Sequence, residues 1–273
     1  MVWQEANMIE SAIISSSDNQ KIKNIRKLRK KKYRTIQNAY LIESIKLFKE
    51  AFQWKVPIKQ IYFTRTCLEK NPDLKPILKD LNQNGVMIFE VQDNVFRHIS
   101  EMKTPEGMLC VAEKQSRTIS NPHHILILDH IQDPGNAGTI IRTADAAGFD
   151  TVLCSEHTID IYDAKVIRSS MGSFFHIPVI QSQNLLSDID KLKREDVTLC
   201  GAALEGEESF HCPIGKTEKI ALILGNESHG MGEALKAQCD VLWRLPIPGH
   251  AESLNVSVAA GILMYQISQN IFL

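Results

Sequence analysis

From residue 123 to residue 273 short apolar runs alternate with amphipathic stretches, and this alternation restricts the fold more than any other feature of the chain. The run HILILDHI (124–131) is of the kind that makes a strand buried on both faces. Strands of that kind belong to parallel sheets covered by helices on each side. After it come the loop QDPGNAG, the helix TIIRTADAAG, the strand TVLCS and the helical segment IYDAKVIRSSMG. The strand HIPVI, the helix LLSDIDKLKR and the strand VTLCGAA follow. KIALILG, VLWRLPI and the long helical run SLNVSVAAGILMYQISQNIF complete the series. The pattern predicts an α/β domain with a mostly parallel sheet over 123–273.

The front of the chain is also mixed but reads as a separate unit. Residues 21–34, KIKNIRKLRKKKYR, hold nine basic side chains and no acidic one, with Ile22, Ile25 and Leu28 at a three-residue spacing. This predicts a helix with an apolar stripe and a very basic remainder. AYLIESIKLFKEAF predicts a second helix, with Leu41, Ile45, Phe48 and Phe52 on one face. VPIKQIYFT reads as a strand, NPDLKPILKDL as a helix, GVMIFEV as a strand, DNVFRHIS as a helix capped by Asp93, and GMLCVAEK as a strand. A small α/β unit over 1–115 follows. SRTISNP, residues 116–122, is polar and ends in proline, as suits a linker.

Charge divides at the same place. The whole chain has net charge −1, yet residues 1–115 carry 20 basic and 13 acidic side chains, and 116–273 carry 11 and 19. A neutral whole argues against a nucleic-acid partner; the split by domain reverses that inference. At 44% hydrophobic and 23% charged, the composition excludes wholesale disorder, collagen-like chains and small disulfide scaffolds. No apolar run reaches the ~18–20 residues of a membrane span. MVWQEANMIESAIISSS lacks the basic start and apolar core of a secretory signal, so a cytoplasmic location and no membrane partner are expected. Cys67, Cys110, Cys154, Cys200, Cys212 and Cys239 are scattered without a C-x-x-C pair. Free thiols are expected, and no metal is implied.

Ligands of an α/β sheet bind at loops after the carboxyl ends of its strands. Three such loops combine glycines with a few polar side chains: DPGNAGTIIRTA after Ile131, GNESHGMG after Leu224, and PIPGHAESLN after Leu245. Asn136 could equally cap the helix that follows it, and Ser253 or Asn255 the last helix. Neither a G-x-G-x-x-G after the first strand nor a G-x-x-x-x-G-K-[ST] is present, which removes Rossmann and P-loop readings. Ser228, His229, His250 and Ser253 could supply parts of a hydrolase triad, but no G-x-S-x-G elbow accompanies them.

In order and spacing, these loops resemble the three motifs of the SpoU (TrmH) family of RNA ribose 2′-O-methyltransferases, in the SPOUT superfamily. The matching segments are LDHIQDPGNAGTIIRTADAAGF (128–149), ALILGNESHGMG and RLPIPGHAESLNVSVAAGILMYQ, with KVIRSSMGSFFHIPV between the first two. Residues from about 17 to 115 resemble the substrate-binding domain that many members carry, a small α/β fold similar to certain ribosomal proteins that bind kinked RNA. That family often has an acidic-Gly pair where this chain has Glu43-Ser44.

The resemblance implies a deep trefoil knot, S-adenosylmethionine as cofactor and a homodimer with the site near its interface. It implies cofactor binding by main-chain groups around Gly225, Leu245, Ile247 and Leu254. It makes Arg142 the group that activates the ribose hydroxyl. Arginine stays protonated in proteins, so anchoring a phosphate and lowering the hydroxyl pKa electrostatically is an equal alternative. Asn136 would position RNA or Arg142, Glu227 would orient Arg142 or a neighbouring loop, and Ser253 and Asn255 would hold the third loop and its ligands. The expected partner is structured RNA, ribosomal before transfer RNA; a non-catalytic RNA-binding protein of the same fold is the reading from another class. Lys21, Lys23, Arg26, Lys27, Arg29, Lys30, Lys31, Lys32 and Arg34 are the cations expected to meet phosphates.

Overall fold

The structure is a computed structural model that describes residues 13–119, 123–208 and 219–272, with side chains up to 268. The chain divides into two compact units, Met1–Gln115 with Tyr162–Ala164, and Ser116–Ile161 with Lys165–Leu273.

In the first unit the basic segment forms two helices rather than one, α1 (Gln20–Lys27) and α2 (Lys31–Gln37). Asn19 caps α1 by accepting from the Lys21 amide, and Ile22, Ile25 and Leu28 bury its apolar stripe. A continuous helix would stack like charges four residues apart, Arg26 on Lys30 and Lys27 on Lys31, with no acid to offset them. The break is held instead by Arg34, whose guanidinium donates to the carbonyls of Leu28 (3.1 Å) and Arg29 (2.8 Å). Those are the carbonyls a helix end leaves unpaired. Arg34 is 4% exposed, so it serves the fold and not a phosphate.

The segment expected as a second helix is half strand. Residues Ala39–Glu43 form β1, and only Ile45–Gln53 form α3. The boundary is Ser44, whose side chain caps α3 by accepting from the Leu47 amide and whose backbone sits at φ 123°, ψ 154°. β2 (Ile58–Phe63), α4 (Arg65–Lys70), α5 (Leu74–Gln83), β3 (Met87–Glu90), α6 (Asp93–Phe96) and β4 (Met108–Glu113) complete the unit. Its sheet order is β1-β4-β2-β3, antiparallel except for the β2–β3 pair. Leu41, Leu109 and Val111 share one core with Ile22, Ile25, Phe96 and Ile99.

The second unit is built on six strands, all parallel, in the order β10-β8-β9-β5-β6-β7. These are β5 (His124–Leu128), β6 (Thr151–Cys154), β7 (Val179–Gln181), β8 (Val197–Glu208), β9 (Lys219–Leu224) and β10 (Val241–Arg244). Between them run α7 (Pro134–Ala146), α8 (Ala164–Ser169), α9 (Ser173–His176), α10 (Leu185–Arg194) and α11 (Glu233–Lys236), and α12 (Val256–Phe272) closes the unit. Ile125 to Leu128 and Ile220 to Leu224 are buried along their whole length, as strands covered on both faces must be. Gly138 lets α7 meet α8, since a Cβ there would lie 2.5 Å from the Val166 carbonyl oxygen.

Part of the segment expected as a linker is packed into this unit. Arg117 donates to the carbonyl of Ile177 (2.6 Å), and Ile119 lies against the sheet core. Cys67, Cys110, Cys154, Cys200 and Cys239 are free thiols, while Cys212 lies outside the described residues. Among the described residues no helix is long and apolar enough to cross a membrane.

Candidate active site

Parallel strands deliver their following loops to one edge of a sheet, and register decides which loops meet. Leu128 of β5 pairs with Leu224 of β9, and the Asp129 amide donates to the Leu224 carbonyl at 2.8 Å. The first and second glycine loops therefore start side by side. Asn226 fastens them: its side-chain amide donates to the His130 carbonyl (2.9 Å), and its oxygen accepts from the amides of Ser228 and His229. His130 takes a left-handed backbone (φ 56°) in this turn, its Nδ1 2.8 Å from the Asp129 carboxylate and its ring stacked on that of His157.

Asp133 is the N-cap of α7, accepting from the Asn136 amide at 2.8 Å, with Pro134 following it. That leaves the Asn136 side chain for other partners. Its Nδ2 donates to Glu227 (3.3 Å), and its Oδ1 accepts from Asn255 (3.3 Å). Glu227 also accepts from the main-chain amides of Gln132 and Asp133, each at 3.4 Å. Asn255 caps α12 in addition, since its Oδ1 accepts from the Ser257 amide. One residue from each of the three loops thus meets in a single chain, Asn255–Asn136–Glu227. Asn255 is thus a helix cap and a member of this chain, whereas Asn136 does not cap α7 and its side chain bonds to Glu227 and Asn255.

Beside this chain is a cavity of about 410 Å³, within the size range of small-molecule sites. Gly225, Leu245, Ile247 and Leu254 all line it, as do Glu227 and Ser253. The opposite wall comes from β8. Between Leu242 and Trp243 of β10 the pairing jumps from Gly201 to Glu207, and the displaced residues Ala202 to Glu205 face the cavity. Trp243, also on the wall, is 2% exposed, and its indole N–H finds no acceptor. Lys236 is paired with Glu205 and Glu233, and these partners hold its ammonium above its ordinary pKa.

Arg142 is the one expected catalytic residue that stands apart. It is exposed on the solvent face of α7 beside Thr139 and makes no ion pair among the described residues. Among the described residues no hydrogen bond joins Ser228 or Ser253 to His229 or His250; His229 Nδ1 faces the Asn226 oxygen at 3.2 Å. The hydrolase reading falls on that geometry. Sequence reasoning missed Asn226, although it lies within the second glycine loop, and missed Trp243, which lies outside all three.

The cavity fits S-adenosylmethionine in its donor set and size. Apolar walls from Leu245, Ile247 and Leu254 suit an adenine, the loops offer main-chain groups, and the indole of Trp243 is an unused donor. In the first unit a second cavity, about 690 Å³, is lined by Lys70, Arg97 and Lys103 with Phe96 and Met102. Elsewhere on the first unit, seven of the nine cations expected to bind RNA are exposed: Lys21, Lys23, Arg26, Lys27, Lys30, Lys31 and Lys32. Arg29, like Arg34, is engaged internally, donating to the carbonyls of His98 and Ser100.

Residues 123–265 match the SpoU rRNA Methylase family, and residues 19–110 match the MRM3-like substrate binding domain. A Bacillus subtilis protein, 23S rRNA (guanosine(2553)-2′-O)-methyltransferase RlmP, is 39% identical over 93% of this chain and 98% of its own length. A 23S rRNA (guanosine-2′-O-)-methyltransferase RlmB from Xylella fastidiosa is 39% identical over 52% of this chain and 57% of its own. An AdoMet-bound rRNA methyltransferase from Sinorhizobium meliloti superposes with a TM-score of 0.85 at 27% identity, covering 95% of this chain and 98% of that one. On its motifs, its sheet and these likenesses, the chain belongs to the SpoU rRNA methylase family.

Proposed function

We propose that this protein transfers a methyl group from S-adenosylmethionine to a ribose 2′-hydroxyl of structured ribosomal RNA. The observation that carries the reading is a cavity lined by the second and third glycine loops, to which the first loop is tied through Asn136, hydrogen-bonded to both Glu227 and Asn255. That integrity of the motif residues favours an enzyme over a non-catalytic RNA-binding protein. Near full-length likeness to a 23S rRNA guanosine enzyme makes a guanosine ribose of the large subunit the first candidate target. A ribosomal substrate goes with a cytoplasmic location.

The cofactor supplies an electrophilic methyl group. Gly225, Leu245, Ile247 and Leu254 hold it, with Ser253 steadying the third loop. Asn255, Asn136 and Glu227 fix the start of α7, and therefore the angle at which Arg142 leaves it. The permanent charge of Arg142 anchors the phosphate beside the target ribose and favours loss of the hydroxyl proton; a group that stays protonated does not accept that proton itself. The trefoil knot of the family would bring the second and third loops together in this unit.

A homodimer completes the reading. α12 has no charged residue, and Val258 (50% exposed), Ile262 (37%) and Tyr265 (51%) form an uncovered stripe at i, i+4, i+7. An apolar stripe on a helix is normally covered, and a second copy would cover this one. The exposed cations of α1 and α2, and those around the first unit's cavity, would bind RNA phosphates.

Mapping 2′-O-methylated positions in total RNA from cells with and without the protein tests the reaction; an unchanged map refutes it. Arg142→Ala should abolish transfer to that position while the calorimetric affinity for S-adenosylmethionine stays within about twofold. Near-normal turnover in that variant would remove the role given to Arg142.

A further inference from the structure

Buried polar atoms in folded proteins are almost always paired, and each exception calls for a physical explanation. Few side-chain atoms of the described residues are buried without a partner, and one of them, the indole nitrogen of Trp243, belongs to a residue that lines the cofactor cavity. The cavity has several acceptors of its own on Glu205, Asn226, Glu227, Ser228, Glu252 and Ser253, and none of them takes the indole proton. The pairing register jumps between Leu242 and Trp243, from Gly201 to Glu207 of β8, so Trp243 stands beside the skipped residues Ala202 to Glu205, which line the same cavity.

We propose that Trp243 is a cofactor-binding residue: its indole N–H donates a hydrogen bond to a lone-pair acceptor of S-adenosylmethionine in this cavity. The indole is a donor only, so it selects a ring nitrogen, a ribose oxygen or the methionyl carboxylate, and rejects the amino groups and the sulfonium. The inference rests on the cavity being the cofactor site, as proposed above. A donor desolvated before the ligand arrives gains a partner without first giving up water, and such a bond raises affinity by about five- to tenfold.

The chain holds three tryptophans, Trp3, Trp54 and Trp243. In protein labelled with nitrogen-15 at tryptophan, the Trp243 indole resonance, assigned by its loss in Trp243→Phe, should move downfield when S-adenosylmethionine is titrated in. Adenosine and methionine, titrated separately, identify which end of the cofactor carries the acceptor. Calorimetry should find the dissociation constant raised about five- to tenfold in Trp243→Phe. The same rise is expected when Trp243 is replaced by benzothienylalanine, which keeps the bicyclic shape and has sulfur in place of N–H. Unchanged affinity in the benzothienylalanine protein, or a stationary indole resonance at saturating cofactor, overturns the proposal while leaving the cavity assignment intact. Failure of the unmodified protein to bind S-adenosylmethionine overturns the assignment of the cavity, and this inference with it.

Discussion

Ser44 is the position where losing a side chain should change stability in a direction that ordinary intuition opposes. At φ 123°, ψ 154° it occupies a region that is nearly glycine-only, and a side chain held there costs of order 1–3 kcal/mol. Its hydroxyl returns part of that by capping α3 at the Leu47 amide, 3.2 Å away. Glycine is itself a fair N-cap, worse than serine by only a few tenths of a kcal/mol. It also has more freedom to lose from the unfolded chain, which costs about 0.4–1 kcal/mol. Ser44→Gly should therefore stabilise the first unit by about 1 kcal/mol. Ser44→Ala keeps the strain and loses the cap, so it should destabilise by about 1 kcal/mol. Equilibrium urea unfolding of the full chain, followed by amide exchange of β1 and α3, measures both. If glycine leaves stability unchanged or lowers it, the strain argument fails. If alanine matches serine, the cap is worth nothing. The turn is also tied to the rim of the first unit's cavity. Glu43 accepts from the Ser100 hydroxyl and the Glu101 amide, and Glu106 from the Ile45 amide.

Replacing Lys30, Lys31 and Lys32 together with alanine should weaken RNA binding and reduce the slope of log affinity against log salt by about 0.7–0.9 for each phosphate no longer neutralised; an unchanged slope would return that corner to a merely solvated surface. Gly138→Ala should destabilise the second unit by about 1–3 kcal/mol, because its Cβ would meet the Val166 carbonyl and the Ser169 side chain, and a calorimetric melt indistinguishable from wild type would refute the close approach of α7 and α8. His124 gives the pH prediction. Burial holds its imidazole below the usual 6.5, an effect that Asp150 opposes and His123 reinforces. The unfolded chain therefore binds a proton there before the folded one does, so this contribution is intact above about pH 6.5 and is lost as pH falls through the lowered folded value. His124→Gln should flatten stability against pH in that window, and a slope equal to wild type would count against the assignment.

The second unit was largely readable because its strands are buried on both faces, and residues such as Ile125 to Leu128 have no polar alternation to blur the signal. Its site was readable by resemblance, since Asn136, Glu227 and Asn255 lie in long motifs. How they connect was not: nothing in the sequence says that Asp133 takes the cap and so frees Asn136. In the first unit the spacing Leu41, Ile45, Phe48, Phe52 imitates a helix face, although a strand ends at Glu43 and the helix starts at Ile45. A period cannot report a boundary that falls inside it. The division of the basic segment rests on Arg34 reaching back to the carbonyls of Leu28 and Arg29, a tertiary fact that a run of positive charges conceals. Trp243 reads as an ordinary apolar residue in VLWRLPI; its significance comes from a jump in strand pairing to residues some forty positions earlier.

The strand order of the second unit also constrains how it can fold. β9 lies between β5 and β8, both of which precede it in the chain. Until β9 inserts, the edges of two strongly apolar strands are open, and open edges of that kind pair readily with other molecules. Closure has to wait for contacts between distant parts of the chain, which makes it slow. Refolding yield should therefore fall as protein concentration rises, with amides of β5 and β8 protected late and together with those of β9. The same order places the loops after β5 and β9 in register only at that step, so competence to bind the cofactor should appear with the slowest folding phase and not before it.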